Sequence, residues 1–286
     1  MRKILVISLL LLSTIFTPFS AAYSAEECSD IYSSLVFEEK SGDILFSKRA
    51  DQASYPASLT KLMTLYLTFE AIENKDLKAS DILTFSSRGE EISAVNRITT
   101  LHVQKHDRIS VRDAIRAVIV KSMNEAAIIL AEAVSGSEWA FARKMNERAA
   151  QLGMVNSSFR NATGLHAEGQ YSTTYDLARL VVALKRDFPG YYHLFSLKKF
   201  SYKDKEFETH NHVLVDYKGA EGMKTGFTNA SGFNLISSAK RDDKRVISVI
   251  LGCASYQKRD EFTKQLLDDA FARLKSEEEA YIVFKR

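Results

Sequence analysis

Tyr32–Phe37 and Ile44–Ser47 are apolar-rich runs, and Lys40-Ser41-Gly42-Asp43 between them has turn chemistry, so the pattern predicts a β-hairpin. The pattern then changes. From Ser58 onward Leu62, Leu65, Tyr66, Phe69 and Ile72 recur at helical spacing, with Ser58 at the start of that helix and Pro56 shaping its approach. The same spacing predicts helices at Val111–Val120, Glu125–Val134, Glu138–Leu152 and Thr174–Lys185, with few strand-like runs among them. Strands return near Phe200–Tyr202, Glu221–Phe227, Phe233–Ala239 and Val246–Leu251, and a last helix covers Gln257–Leu274. Sheet, helices, sheet, helix is the order of an α/β fold. We expect a central antiparallel sheet of about five strands flanked by helices, plus an all-helical lobe. The first and last helices are expected on one face, and an insert at about residues 75–160 on the other.

The first residues differ in kind. Arg2 and Lys3 precede an apolar run from Ile4 to Phe16, followed by Pro18 and the small residues Ser20, Ala21, Ala22, Ser24 and Ala25. That is the pattern of a secretory signal peptide, cleaved after Ala22 or Ala25, and the run is shorter than the roughly 20 apolar residues of a spanning helix. The expected division is residues 1–25 as signal and 26–286 as one folded domain, exported to the periplasm or the medium. Export permits disulfides, and the chain has two cysteines, Cys28 and Cys253. Cys28 stands just before the first strand and Cys253 ends the strand Val246–Leu251. Were those strands antiparallel neighbours, the two sulfurs would meet; the alternative is one exposed thiol and one buried one.

Composition narrows the function classes. Hydrophobic residues make up 45% and charged ones 26%, with no repeat or low-complexity tract, which is ordinary for a globular chain able to bury its own core. The 39 basic and 36 acidic side chains are dispersed, so nothing marks a nucleic-acid partner.

Three short motifs carry candidate chemistry. Ser58-Leu59-Thr60-Lys61 puts a hydroxyl and an amine about one helical turn apart, as a nucleophile and its base require. A lysine acts as a base only if its pKa falls from ~10.4 toward neutrality, a bias of roughly 4 kcal/mol against the ammonium. The spacing alone is common, since it recurs at Ser196, Ser237 and Ser255; Ser58 is distinguished by opening a strongly periodic helix. Ser122-Met123-Asn124 falls between two apolar helices, where a helix cap is the ordinary alternative. Lys224-Thr225-Gly226 lies on a strand-like run, where alternation puts Lys224 and Gly226 on one face and the glycine suits close approach by another backbone.

Taken together and in this order, the motifs resemble those of the penicillin-recognising serine enzymes, specifically the DD-peptidases among the low-molecular-weight penicillin-binding proteins. The resemblance extends through Val120–Ala127, Met145-Asn146, Leu152-Gly153-Met154, Asn161–Leu165, Tyr171-Ser172-Thr173 and Gly222–Lys240. It implies a serine-type D-alanyl-D-alanine carboxypeptidase that acts on peptidoglycan stem peptides without metal or cofactor. Ser58 would attack the carbonyl between the two D-alanines, and Lys61 would accept its proton. Ser122, hydrogen-bonded toward Lys61 and Lys224, would pass a proton to the departing amine. Asn124 would orient the substrate amide, and Lys224 and Thr225 would hold the terminal carboxylate. Gly226 would let the substrate approach, and the backbone N–H groups of Ser58 and Phe227 would form the oxyanion hole. β-Lactams would acylate Ser58 and leave slowly.

Other readings stay open. A DD-endopeptidase would cut crosslinks with the same residues, and Phe227 stands where many carboxypeptidases carry a polar side chain. A class A β-lactamase usually has Ser-Asp-Asn in the middle motif; here Glu168 lacks the asparagine four residues later. A catalytically silent penicillin-binding sensor is the third. His210 and His212 alternate on an expected strand, but no third metal ligand accompanies them. The sequence after the last helix leaves no room for the β-rich domain and amphipathic anchor that many carboxypeptidases carry, so no dedicated membrane anchor is expected.

Overall fold

The structure, a computed structural model, describes residues 32–95 and 99–284. The elements in chain order are β1 (Ser33–Glu38), β2 (Ile44–Lys48), α1 (Lys61–Glu73), β3 (Ile82–Thr84), α2 (Ser87–Val95), β4 (Arg108–Ser110), α3 (Val111–Lys121), α4 (Asn124–Ser135), α5 (Glu138–Gln151) and α6 (Thr174–Asp187). Then come α7 (Pro189–Tyr192), β5 (Lys199–Tyr202), β6 (Lys205–Glu208), α8 (His212–Asp216), β7 (Ala220–Thr228), β8 (Gly232–Arg241), β9 (Lys244–Cys253) and α9 (Tyr256–Phe284).

Five strands form one antiparallel sheet in the order β2-β1-β9-β8-β7, so the opening hairpin and the closing meander join through β1 and β9. The pairing sets Ser33 opposite Leu251 and Glu38 opposite Val246. Alternation then sends Leu35, Phe37, Ile247, Val249 and Leu251 to the large core shared with the helices of the lobe. Val36, Val246 and Ile250 face the other way, onto Phe262, Leu266 and Leu267 of α9. Burying each of those three α9 side chains contributes about 1.5–3 kcal/mol.

The expectation that the first and last helices share a face is corrected. α9 covers one face, while α1 lies on the opposite side within the lobe's core. Its own sequence explains this: every residue from Lys61 through Phe69 is buried, so α1 is a central helix enclosed on all sides rather than a one-faced cover. The strand near Phe200 also leaves the expected sheet. It pairs with β6 in a separate two-stranded ribbon, Phe200 stacking on Phe207. The ribbon β3-β4 and helix α2 were not anticipated, being too short or too polar for a periodic signal.

Among the described residues no helix is long and apolar enough to cross a membrane. Cys253 closes β9 and is held in a disulfide. Its expected partner Cys28, like the expected signal segment, lies outside the described residues.

Candidate active site

Ser58 sits in a 3-10 turn, Ala57–Thr60, that runs directly into α1. Ala57 adopts φ +49°, a left-handed conformation that a side-chain-bearing residue enters at a cost of about 1–3 kcal/mol. The turn places Ser58 half-buried at the cleft and Lys61, one turn on, wholly inside the protein. Lys61 Nζ lies 2.9 Å from Ser58 Oγ, 2.8 Å from Asn124 Oδ1 and 2.5 Å from the carbonyl oxygen of Thr163. Burial lowers the Lys61 pKa well below the ordinary value, and the nearby Lys224 charge lowers it further, against opposing pulls from Glu125 and Glu138.

Asn124 opens α4, so its position follows from the helix start. Ser122 ends α3 in the left-handed region at φ +62°, a break that lets two apolar helices turn at the cleft. Its Oγ is buried without a hydrogen-bond partner, so the expected bonds from Ser122 toward Lys61 and Lys224 are not made in this state. The Thr163 carbonyl is presented by a tight loop: Asn161 Oδ1 accepts from the backbone N–H of Thr163 at 3.2 Å and of Gly164 at 2.7 Å.

The edge strand β7 forms the opposite wall. A β-carbon on Gly226 would come within 3.1 Å of both Pro56 O and Ser58 N, tighter than most such contacts, so the glycine eases the strand's close approach to the Ser58 turn. Lys224 is buried, its Nζ donating to Thr225 O at 2.9 Å. Burial and the charge of Arg259 bring its pKa to about 7. Thr225 lines the cleft, and two places further on the same face Phe227 is 49% exposed and stacks on Phe233 with centroids 4.3 Å apart.

Sequence reasoning missed the Thr163 carbonyl, Arg259 and the role of His210. Arg259 comes from α9, is buried, bonds to Asp260 and donates to Asn234 O at 3.3 Å. A backbone carbonyl leaves no residue-type signal, and Arg259 is one of many arginines. The strand expected to carry His210 and His212 is absent. His210 lies in the turn before α8 with its Nε2 2.7 Å from Thr225 Oγ1, whereas His212 begins α8 and faces Asp260 at 3.4 Å. The two rings thus serve different neighbours. Ser58, Ser122, Asn124, Thr225, Gly226 and Phe227 all border one cavity of about 780 Å³.

The geometry has counterparts in known proteins. Residues 22–255 match the model of the D-alanyl-D-alanine carboxypeptidase family. The D-alanyl-D-alanine carboxypeptidase DacF of Bacillus subtilis is 31% identical over 92% of this chain and 67% of its own length. The D-alanyl-D-alanine carboxypeptidase DacC of Escherichia coli is 34% identical over 89% of this chain and 65% of its own length. The chain thus spans about two thirds of the length of these curated relatives. The ampicillin-bound crystal structure of penicillin-binding protein D2 from Listeria monocytogenes superposes with a TM-score of 0.75 at 31% identity, covering 84% of this chain and 96% of that one. Matched over most of its length by one family model, with a shared fold and a serine–lysine pair at its cleft, the chain belongs to the D-alanyl-D-alanine carboxypeptidase family.

Proposed function

We propose that this protein is a serine DD-carboxypeptidase that removes the terminal D-alanine from peptidoglycan stem peptides through an acyl-enzyme on Ser58. The carrying observation is the set of partners around Lys61. An uncharged amine has two N–H donors and one lone pair. Asn124 Oδ1 and the Thr163 carbonyl are both acceptors and take the two donors, which leaves the lone pair for the hydroxyl hydrogen of Ser58. Burial and the Lys224 charge favour that uncharged state.

The steps then follow. Ser58 Oγ attacks the carbonyl of the penultimate D-alanine as its proton moves to Lys61 Nζ. The oxyanion is met by the backbone N–H groups of Ser58 and Phe227. The C–N bond breaks with the proton passing from Lys61 through the Ser122 hydroxyl to the departing amine, and free D-alanine leaves. Water hydrolyses the ester with Lys61 again accepting a proton. At one end of the cleft Thr225 offers a hydroxyl and Arg259 a positive charge, with the buried Lys224 behind them, a setting suited to the terminal carboxylate. A β-lactam presents a similar amide and carboxylate, and should acylate Ser58 as an inhibitor. Export through the N-terminal signal would bring the enzyme to this substrate.

Digestion of a stem pentapeptide and of purified crosslinked muropeptides tests the reading. We expect free D-alanine from the pentapeptide, activity that survives chelation, and loss of both turnover and penicillin labelling in Ser58→Ala. Penicillin labelling without D-alanine release would support a sensor instead. A fall in the dimer-to-monomer ratio without free D-alanine would support an endopeptidase, and rapid β-lactam turnover a β-lactamase.

A further inference from the structure

We propose that His210 is a positioning residue for carboxylate recognition: its Nε2–H donates to Oγ1 of Thr225 and so turns the threonine's own O–H into the cleft. The proposal rests on the reading above that Thr225 meets the terminal carboxylate.

The contact is short and built. His210 Nε2 and Thr225 Oγ1 are 2.7 Å apart, and both residues line the cleft. The turn carrying the ring is fixed on either side. Thr209 N donates to Lys198 O at 2.8 Å, Asn211 N donates to Thr209 Oγ1 at 3.2 Å, and Asn211 Oδ1 caps α8 by accepting from Leu214 N. The charged and titratable groups acting on the ring come from four elements: Lys224 of β7, Lys121 of α3, Arg259 of α9 and His212 of α8. Burial first, and then these charges, push the His210 pKa down to about 3, so the ring is neutral at physiological pH.

A neutral imidazole has one N–H and one lone pair, and the bond to Thr225 holds a single hydrogen. Were the threonine to donate it, its hydroxyl would offer only lone pairs to the cleft, and a carboxylate there would face an acceptor with nothing to share. Were the ring to donate it, the threonine hydrogen would be free to point at the carboxylate. A bound carboxylate therefore selects the second arrangement, because the first leaves two desolvated acceptors opposed. With the ring donating, the Thr225 oxygen is held by His210 and its O–H is left for the cleft.

Kinetics on an N-acylated L-Lys-D-Ala-D-Ala and on its C-terminal carboxamide test this. For His210→Ala we expect about a tenfold loss in kcat/KM on the acid, carried by KM, with little change on the carboxamide. His210→Gln keeps an N–H near the place of Nε2 and should recover the acid to within about threefold of the parent. A second arm compares acylation by benzylpenicillin and by its methyl ester, with the same loss expected only for the free acid. Equal losses on acid and blocked substrates, or an unchanged preference in His210→Ala, would overturn the proposal. A parent protein that turns over neither peptide would end the peptidase reading, and the penicillin arm would still decide the role of His210.

Discussion

Gly164 lies so close to Ala57 that a β-carbon on the glycine would stand 1.8 Å from the alanine's carbonyl oxygen. Gly164 follows the residue whose carbonyl holds Lys61, and Ala57 precedes Ser58, so this contact sets the Thr163 loop against the Ser58 turn. Gly164 also has φ +79°, where side chains are strained. Gly164→Ala should therefore separate loop from turn, and a misplacement near 1 Å lowers acylation by about 10²-fold. Stopped-flow labelling with a fluorescent penicillin measures it; an unchanged rate would show the two segments to be independent.

With Lys61 as the base proposed above, acylation should rise with pH through its depressed pKa and then level off. Removing the Lys224 charge takes away the second largest cause of that depression, and Glu125→Gln takes away a pull in the opposite sense. The rising limb should move to higher pH in Lys224→Ala and to lower pH in Glu125→Gln. Penicillin acylation rates across pH decide it, and shifts of the same sign in both variants would be incompatible with this electrostatic account.

Lys224 itself burdens the fold. Its pKa is about 7 in the folded protein and 10.5 by ordinary expectation, so between those values the unfolded chain binds more proton and stability climbs as pH rises. Below pH 7 the penalty is fully present; above 10.5 it is gone. Lys224→Met should be more stable than the parent at pH 6.5, with the gap narrowing by about 2 kcal/mol by pH 9. Urea unfolding at the two pH values reads it, and a widening gap would contradict the sign.

Ser122 carries a buried hydroxyl with no partner. Ser122→Ala should gain about 1 kcal/mol of stability, since an unsatisfied group is removed. Turnover should fall by about 10²-fold or more if that hydroxyl relays the proton. A variant both less stable and fully active would refute the relay.

Cys253 is disulfide-bonded and sits under α9 beside Phe262. Alkylation of the unfolded, unreduced chain should add no mass, while reduction first should expose two thiols. Cys253→Ser should lower stability by about 2–4 kcal/mol.

Much of this was legible in the chain because the signals are local. The apolar run Tyr32–Phe37, the helical spacing after Ser58 and the apolar strand Val246–Leu251 each report that an element meets a core, and the elements formed where those patterns stood. The three motifs likewise name their own residue types. Relations between distant segments carry no such mark. That α1 is enclosed within the lobe rather than laid beside α9 depends on what the other helices leave uncovered. That His210 reaches Thr225 depends on a turn and a strand brought together by packing. By itself the sequence determined the elements, the family's motifs and the serine–lysine spacing, since these depend on neighbours a few residues away. Only the tertiary structure decided that Lys61 would be surrounded by Asn124 and the Thr163 carbonyl, because both partners come from chain more than 60 residues distant.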